Sequence, residues 1–134
     1  MMKMIINAEG AVFGRLCSYV AKQALEGNDI IILNCEKTII TGNKKDIIQK
    51  YSNMRKKGGT AHKGPNYSKL PVLMLKRAIR GMLPNYREGI GKQAFSRVKC
   101  YEGIPKEFEK EKASKFVSRE YNNYIELKEL SQRI

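Results

Sequence analysis

Two rhythms of apolar and polar positions alternate along this chain. Met4-Ile5-Ile6 is a short apolar run that reads as a buried strand, and Asn7 to Gly14 follows as a turn with Gly10 and Gly14 as its punctuation. From Phe13 to Leu25 the period becomes helical. At 100° per residue from Leu16, the side chains of Phe13, Cys17, Val20, Ala21, Ala24 and Leu25 fall on an arc from roughly 40° to 180°. Arg15, Ser18, Lys22, Gln23 and Glu26 occupy the opposite arc, and Gly27-Asn28 closes the helix with residues that tolerate positive φ. Ile30-Ile31-Ile32-Leu33 comes next, a continuous β-branched run suited to a strand buried on both faces of a parallel sheet. Strand, helix and buried strand make a βαβ unit with an expected right-handed crossover.

Thr38 to Thr41 adds a further short strand, and Lys44 to Met54 a second helix with Ile47, Ile48 and Tyr51 on one side. Residues 55–66 lose all periodicity: three glycines, a proline and four Lys or Arg mark a mobile basic loop. Pro71 is placed as the first residue of a third helix that runs to Leu83 and stops at Pro84. On its wheel Val72, Leu75, Ala78, Ile79, Met82 and Leu83 form a core face, while Lys76, Arg80 and Arg77 form a cationic ridge. Asn85 to Gln93 reads as another glycine-bearing loop, and Arg97 to Tyr101 alternates with period two as an edge-like strand. The tail after Pro105 is polar to about Ser114. It then carries scattered apolar residues in an extended or partly helical arm, with a helix expected over 126–133. There are no internal repeats.

Charge sharpens this picture. The 134 residues carry a formal net charge of +13. Residues 1–43 and 100–134 are each neutral, so the whole excess lies in 44–99, where fifteen Lys or Arg face only Asp46 and Glu88. Folding alone mixes signs over a surface, and a single-sign concentration of this size is built to meet a polyanion. An anionic membrane is the weaker partner: Trp is absent, and no apolar run approaches the ~18 residues of a span. The start of the chain lacks the features of a secretory signal, so a cytosolic protein with reduced thiols is expected. Cys17, Cys35 and Cys100 are odd in number and far apart, which fits buried free thiols rather than a disulfide framework or zinc site. The sequon at Asn66-Tyr67-Ser68 is a chance match on that reading.

No catalytic constellation emerges. The single histidine, His62, has no acid within twelve residues on either side, and two carboxylates across 44–99 give little from which to build an acid–base pair or a Mg²⁺ site. Gly59 to Gly64 has Walker spacing, but Pro65 and Asn66 stand where Lys and Ser/Thr are required. Gly10 to Gly14 lacks the middle glycine of a dinucleotide fingerprint. A non-enzymatic chain without cofactor is therefore expected. The central segment suits phosphate binding instead, with glycine loops that follow irregular backbones and a helix ridge that fixes register. Tyr51, Tyr67, Tyr86 and His62 are interleaved with the cations, either as stacking platforms for unpaired bases or as anchors of the loops to the core. RNA fits better than duplex DNA, since no recognition helix, zinc finger or dimer heptad is present.

Three blocks then match something specific: 14–22 (Gly-Arg-Leu-Cys-Ser-Tyr-Val-Ala-Lys), 31–42 with Ile39-Ile40-Thr41-Gly42 at its end, and Arg77-Ala78-Ile79-Arg80-Gly81-Met82-Leu83-Pro84 with the later Tyr101-Glu102-Gly103-Ile104-Pro105. Together they resemble the large-subunit ribosomal protein L-thirteen family over nearly the whole chain, in its archaeal-type branch by the short N-terminus and the Lys63-Gly64-Pro65 loop. Cys17 and Cys35 stand where that family commonly has small residues. The resemblance implies a three-layer α/β/α fold on a small, mainly parallel four-stranded sheet, with basic loops and a C-terminal arm. It implies one α/β RNA-binding domain over 1–105 and an extension over 106–134. The implied partners are large-subunit rRNA and neighbouring ribosomal proteins, with neither a membrane nor a small-molecule substrate, in the cytoplasmic ribosome. The function it implies is that of a structural constituent of the large subunit acting early in assembly; a free-standing regulatory RNA-binding protein is the alternative. Its RNA-facing elements map to the 55–69 loop, the Lys76/Arg77/Arg80 ridge and the 84–92 loop. The expected contact set is Arg15, Lys44, Lys45, Arg55, Lys56, Lys57, His62, Lys63, Lys69, Lys76, Arg77, Arg80, Arg87, Lys92 and Arg97.

Overall fold

The structure, a computed structural model, describes residues 3–56, 68–115 and 122–134. Of the mobile loop expected over 55–66, Arg55 and Lys56 instead complete a helix, because the apolar side of the preceding turns carries the period two residues further. The rest, with Lys57, His62 and Lys63, lies outside the described residues, as does Tyr67. Strand β1 (Lys3–Asn7), helix α1 (Phe13–Leu25) and strand β2 (Asp29–Leu33) form the βαβ unit, with β1 and β2 parallel in a register that sets Ile5 opposite Ile31. Gly27 ends the crossover helix at φ +100°, while Asn28 donates its side-chain amide to Gln23 Oε1 at 2.8 Å. Strand β4 (Val98–Cys100) lies parallel on the other side of β2, at the sheet edge. β5 (Ser114–Lys115) pairs parallel with β1, giving the order β4-β2-β1-β5.

The period-two alternation of β2 divides its side chains between two cores. Ile30 and Ile32, with Ile6, Val98 and Cys100, join the principal core against α1, helix α3 (Pro71–Met82) and helix α4 (Gly89–Ser96). Ile31 and Leu33 face the other way and are covered by Phe108, Tyr101 and Ala113, so that face carries a thin cover of 3-10 turn and loop. Asn34 turns the chain out of the sheet at φ +57°, a conformation Asn tolerates better than most residues. Its side-chain amide donates to Asn7 Oδ1 at 3.0 Å, tying together the C-terminal ends of β1 and β2.

That turn explains the first departure from the sequence pattern. Ile39–Thr41 does form a strand, β3, but it leaves the parallel sheet and pairs antiparallel with β6 (Tyr124–Glu126). Helix α5 (Leu127–Arg133) follows, and with α2 (Lys44–Lys56) it builds a further core from Ile47, Met74, Ile125, Leu127 and Leu130. The tail is thus packed back onto the body rather than extended away from it. The second departure is α4, where the pattern indicated loop. Gly91 and Ala94 are buried and Phe95 half-buried, a helical spacing concealed by two glycines in the first turn. A Cβ at Gly91 would strike the carbonyl oxygens of Pro84 and Asn85, so only glycine permits this close approach.

Candidate nucleic-acid interface

Helix α3 carries the centre of the interface. Pro71 sits in its first turn, where a missing N–H costs nothing, and Leu75 and Ile79 are fully buried. Each of those two side chains contributes about 1.5–3 kcal/mol of burial, enough to fix the rotation of the helix about its axis. The wheel is right for Leu75, Ile79 and Leu83 and wrong at two positions. Met82 is 46% exposed, and Met74 is buried in the core made by α2 and α5. A helix gripped on two sides cannot roll, so Lys76, Arg77 and Arg80 are held toward one surface. All three are half-buried, the usual state of long cationic stems lying on apolar neighbours with their heads in water.

The turn before α4 brings a second set of cations to this ridge. The Arg80 guanidinium stands 4.7 Å from the centroid of the Tyr86 ring and that of Arg87 at 5.4 Å. Phe95 meets the same ring edge-on at 6.4 Å and 75°. Arg87 Nε donates to Tyr86 Oη at 3.2 Å. That hydrogen bond and the Arg87 charge, followed by the charges of Arg80 and Arg77, hold the Tyr86 phenol below its usual pKa. Asn85 shapes the turn: its Oδ1 accepts from the Arg87 backbone N–H at 3.1 Å, and its amide donates to Glu88 Oε1 at 3.2 Å. Two guanidinium groups therefore meet at one aromatic ring.

Between α2 and α3 lies a groove of about 460 Å³. Its apolar part comes from Phe13, Tyr51, Met54, Leu73, Met74, Ala78, Phe95 and Ile134, and its cations are Arg55, Lys76, Arg77 and Arg80. Tyr51 is half-buried in this lining, and burial raises its phenol above its usual pKa. The sequence pattern contained one trace of this groove: Leu73, Arg77 and Gly81 recur every four residues along one face of α3. The other walls come from α1, α2, α4 and the tail, and only the tertiary fold assembles them.

The remaining expected contacts are dispersed. Arg55 and Lys56, expected in the loop, project instead from the last turn of α2, and Lys69 is exposed just before α3. Lys92 is exposed on α4, and Arg15 is exposed on the polar side of α1. Lys45 shares with Lys44 a separate cleft formed with Gly42, Asn43 and residues 122–124. Lys44 Nζ lies 3.5 Å from Glu129 Oε2, and Arg133 reaches the other oxygen of that carboxylate at 3.5 Å. Arg97 turns inward, where Nη1 donates to the Ala24 carbonyl at 2.9 Å and satisfies the C-terminal turn of α1. Lys50 and Lys99, outside the expected set, are exposed as well.

Among the described residues no group of three His, Cys, Asp or Glu side chains could hold a metal ion, and no helix is long and apolar enough to cross a membrane. Residues 2–107 match the family described as Ribosomal protein L13. The large ribosomal subunit protein uL13 of Thermoplasma acidophilum is 42% identical over 133 residues, covering 97% of this chain and 96% of the relative. The protein of that name from Methanocaldococcus jannaschii is 43% identical over 135 residues, with the same coverage. That of Methanococcus maripaludis is 46% identical over 105 residues, 76% of each chain. With both a family match across most of its length and archaeal relatives similar almost end to end, the chain belongs to the ribosomal protein L13 family.

Proposed function

We propose that this chain is a structural constituent of the large ribosomal subunit that binds rRNA through the α3 ridge and the adjoining loops and supports subunit assembly. The observation that carries the binding surface is the convergence of Arg77, Arg80 and Arg87 on the α3–Tyr86 surface of a helix whose rotation is fixed from two sides. Guanidinium groups pair bidentately with phosphate and stack on rings, and both modes suit folded RNA. Arg55, Lys56, Lys69, Lys76 and Lys92 extend this surface. Lys44, Lys45 and Arg15 serve more distant strands, and Lys57, His62 and Lys63 complete the contact set from the basic loop. Residues 1–105 act as the RNA-binding domain and 106–134 as an extension, with Phe108 and its neighbours supplying the third layer over a four-stranded sheet. The protein works as a non-enzymatic component without cofactor, in the cytoplasmic ribosome, against rRNA and neighbouring ribosomal proteins, with neither a membrane nor a small-molecule substrate.

Sedimentation of a cell extract tests this reading. The chain is expected to co-migrate with the large subunit, and a variant with Arg77→Gln and Arg80→Gln to shift toward the free fraction with a thermal midpoint within a few degrees of the parent. Wholly free wild-type protein would point to a regulatory RNA-binding protein instead.

A further inference from the structure

We propose that the groove between α2 and α3 receives one unstacked base of the bound RNA, whose backbone crosses the cations at the rim; this deepens, and rests on, the rRNA-binding reading above. Three observations converge on it. The groove offers about 460 Å³, the scale of a small-molecule or cofactor site. Its described walls combine the Tyr51 and Phe95 rings with four cationic side chains and no Asp or Glu side chain, a composition matched by an aromatic ring joined to a phosphate.

Gly81 is the third observation. Gly81 stands in the last turn of α3, where glycine still has lower helix propensity than alanine, and no positive φ requires it there. A Cβ built at Gly81 meets nothing within 4 Å, so packing inside the chain does not demand the glycine either. What it leaves is open space beside Arg77 on the groove face. Room kept at a cost in helix propensity, on a cationic wall, is accounted for by a ligand that enters there.

The same geometry supplies the test, because a Cβ added at Gly81 meets no atom within 4 Å and a longer side chain there is directed into the groove. Gly81→Trp and Gly81→Ala are compared with the parent for binding to protein-free large-subunit rRNA over a range of salt. Gly81→Trp is expected to bind on the order of tenfold more weakly, the scale of one lost base–aromatic stack, with an unchanged salt slope because every cation remains. Gly81→Ala should bind like the parent and melt higher, and ultraviolet crosslinking of the parent complex should place nucleotide adducts on Tyr51 or Phe95. A folded Gly81→Trp chain with parental affinity and parental adducts overturns the base pocket. So does a variant that binds naked rRNA normally but fails to enter particles, which would assign the groove to a protein neighbour. Parent protein that does not bind this rRNA at all removes the functional reading, and the pocket with it.

Discussion

Arg97 and the three buried thiols show how single residues in or near the basic segment serve the fold. The Arg97 guanidinium donates to the Ala24 carbonyl at 2.9 Å, so Arg97→Gln removes the charged donor and leaves that carbonyl to backbone N–H groups such as that of Gly27. A loss of about 1–3 kcal/mol in urea unfolding is expected, the range for hydrogen bonds to charged groups, with the salt slope of RNA binding unchanged. Arg97 and Arg77 are indistinguishable as letters in a basic segment, and only the tertiary neighbour separates an internal tie from a ridge cation. Cys17 has its thiol pushed up to about 12, chiefly by burial and then by the Cys100 charge. Cys35 is raised as well, by its hydrogen bond with Cys100 and by burial. A thiol whose folded pKa lies above the unfolded value of 9.0 gives full stability below pH 9, and that contribution is lost as pH climbs toward 12. The urea midpoint should therefore fall more steeply between pH 9 and 11 in the parent than in Cys17→Ala. All three thiols should resist iodoacetamide until the chain unfolds.

Elements were legible wherever their own periodicity matched the face they bury. The span of α1 and the paired runs of β1 and β2 follow directly from spacing, because each presents a sustained apolar pattern to a single core or sheet. α4 was hidden because two of its first three residues are glycines, and its stability comes from contact rather than propensity. Gly91→Ala tests that account: the added methyl collides with the backbone at Pro84 and Asn85, so the cost should be about 1–3 kcal/mol despite alanine's better helix propensity. Equilibrium unfolding would show it as a lower midpoint at constant m-value; a neutral or stabilising result would mean that α4 and the 84–85 turn separate readily. The burial of Met74 escaped the wheel for a different reason. A wheel assumes one core, and α3 borders two, the second built with a tail that begins more than fifty residues beyond Met74.

At the scale of the whole molecule the electrostatic asymmetry becomes a measurable slope. If roughly 6–10 of the cations meet phosphates, log K should fall with log salt at a slope of about −4 to −9. Replacing Arg77 and Arg80 together should flatten it by about 1.5, and filter binding at four or five salt concentrations is sufficient to see this. A slope near zero would show that affinity comes from something other than phosphate neutralisation. The basic segment and the α3 ridge were legible because charge and helical period are both local properties. The groove was not, since its walls lie at Phe13, Tyr51, Leu73, Phe95 and Ile134, five places that only the folded topology makes adjacent. One consequence follows from the pairing of β3 with β6. During synthesis, residues 39–41 leave the ribosome more than eighty positions ahead of the partner that will close against them. The wall to which Ile134 contributes is therefore built last, and a nascent or prematurely terminated chain would display its cationic ridge before it owned a finished cleft.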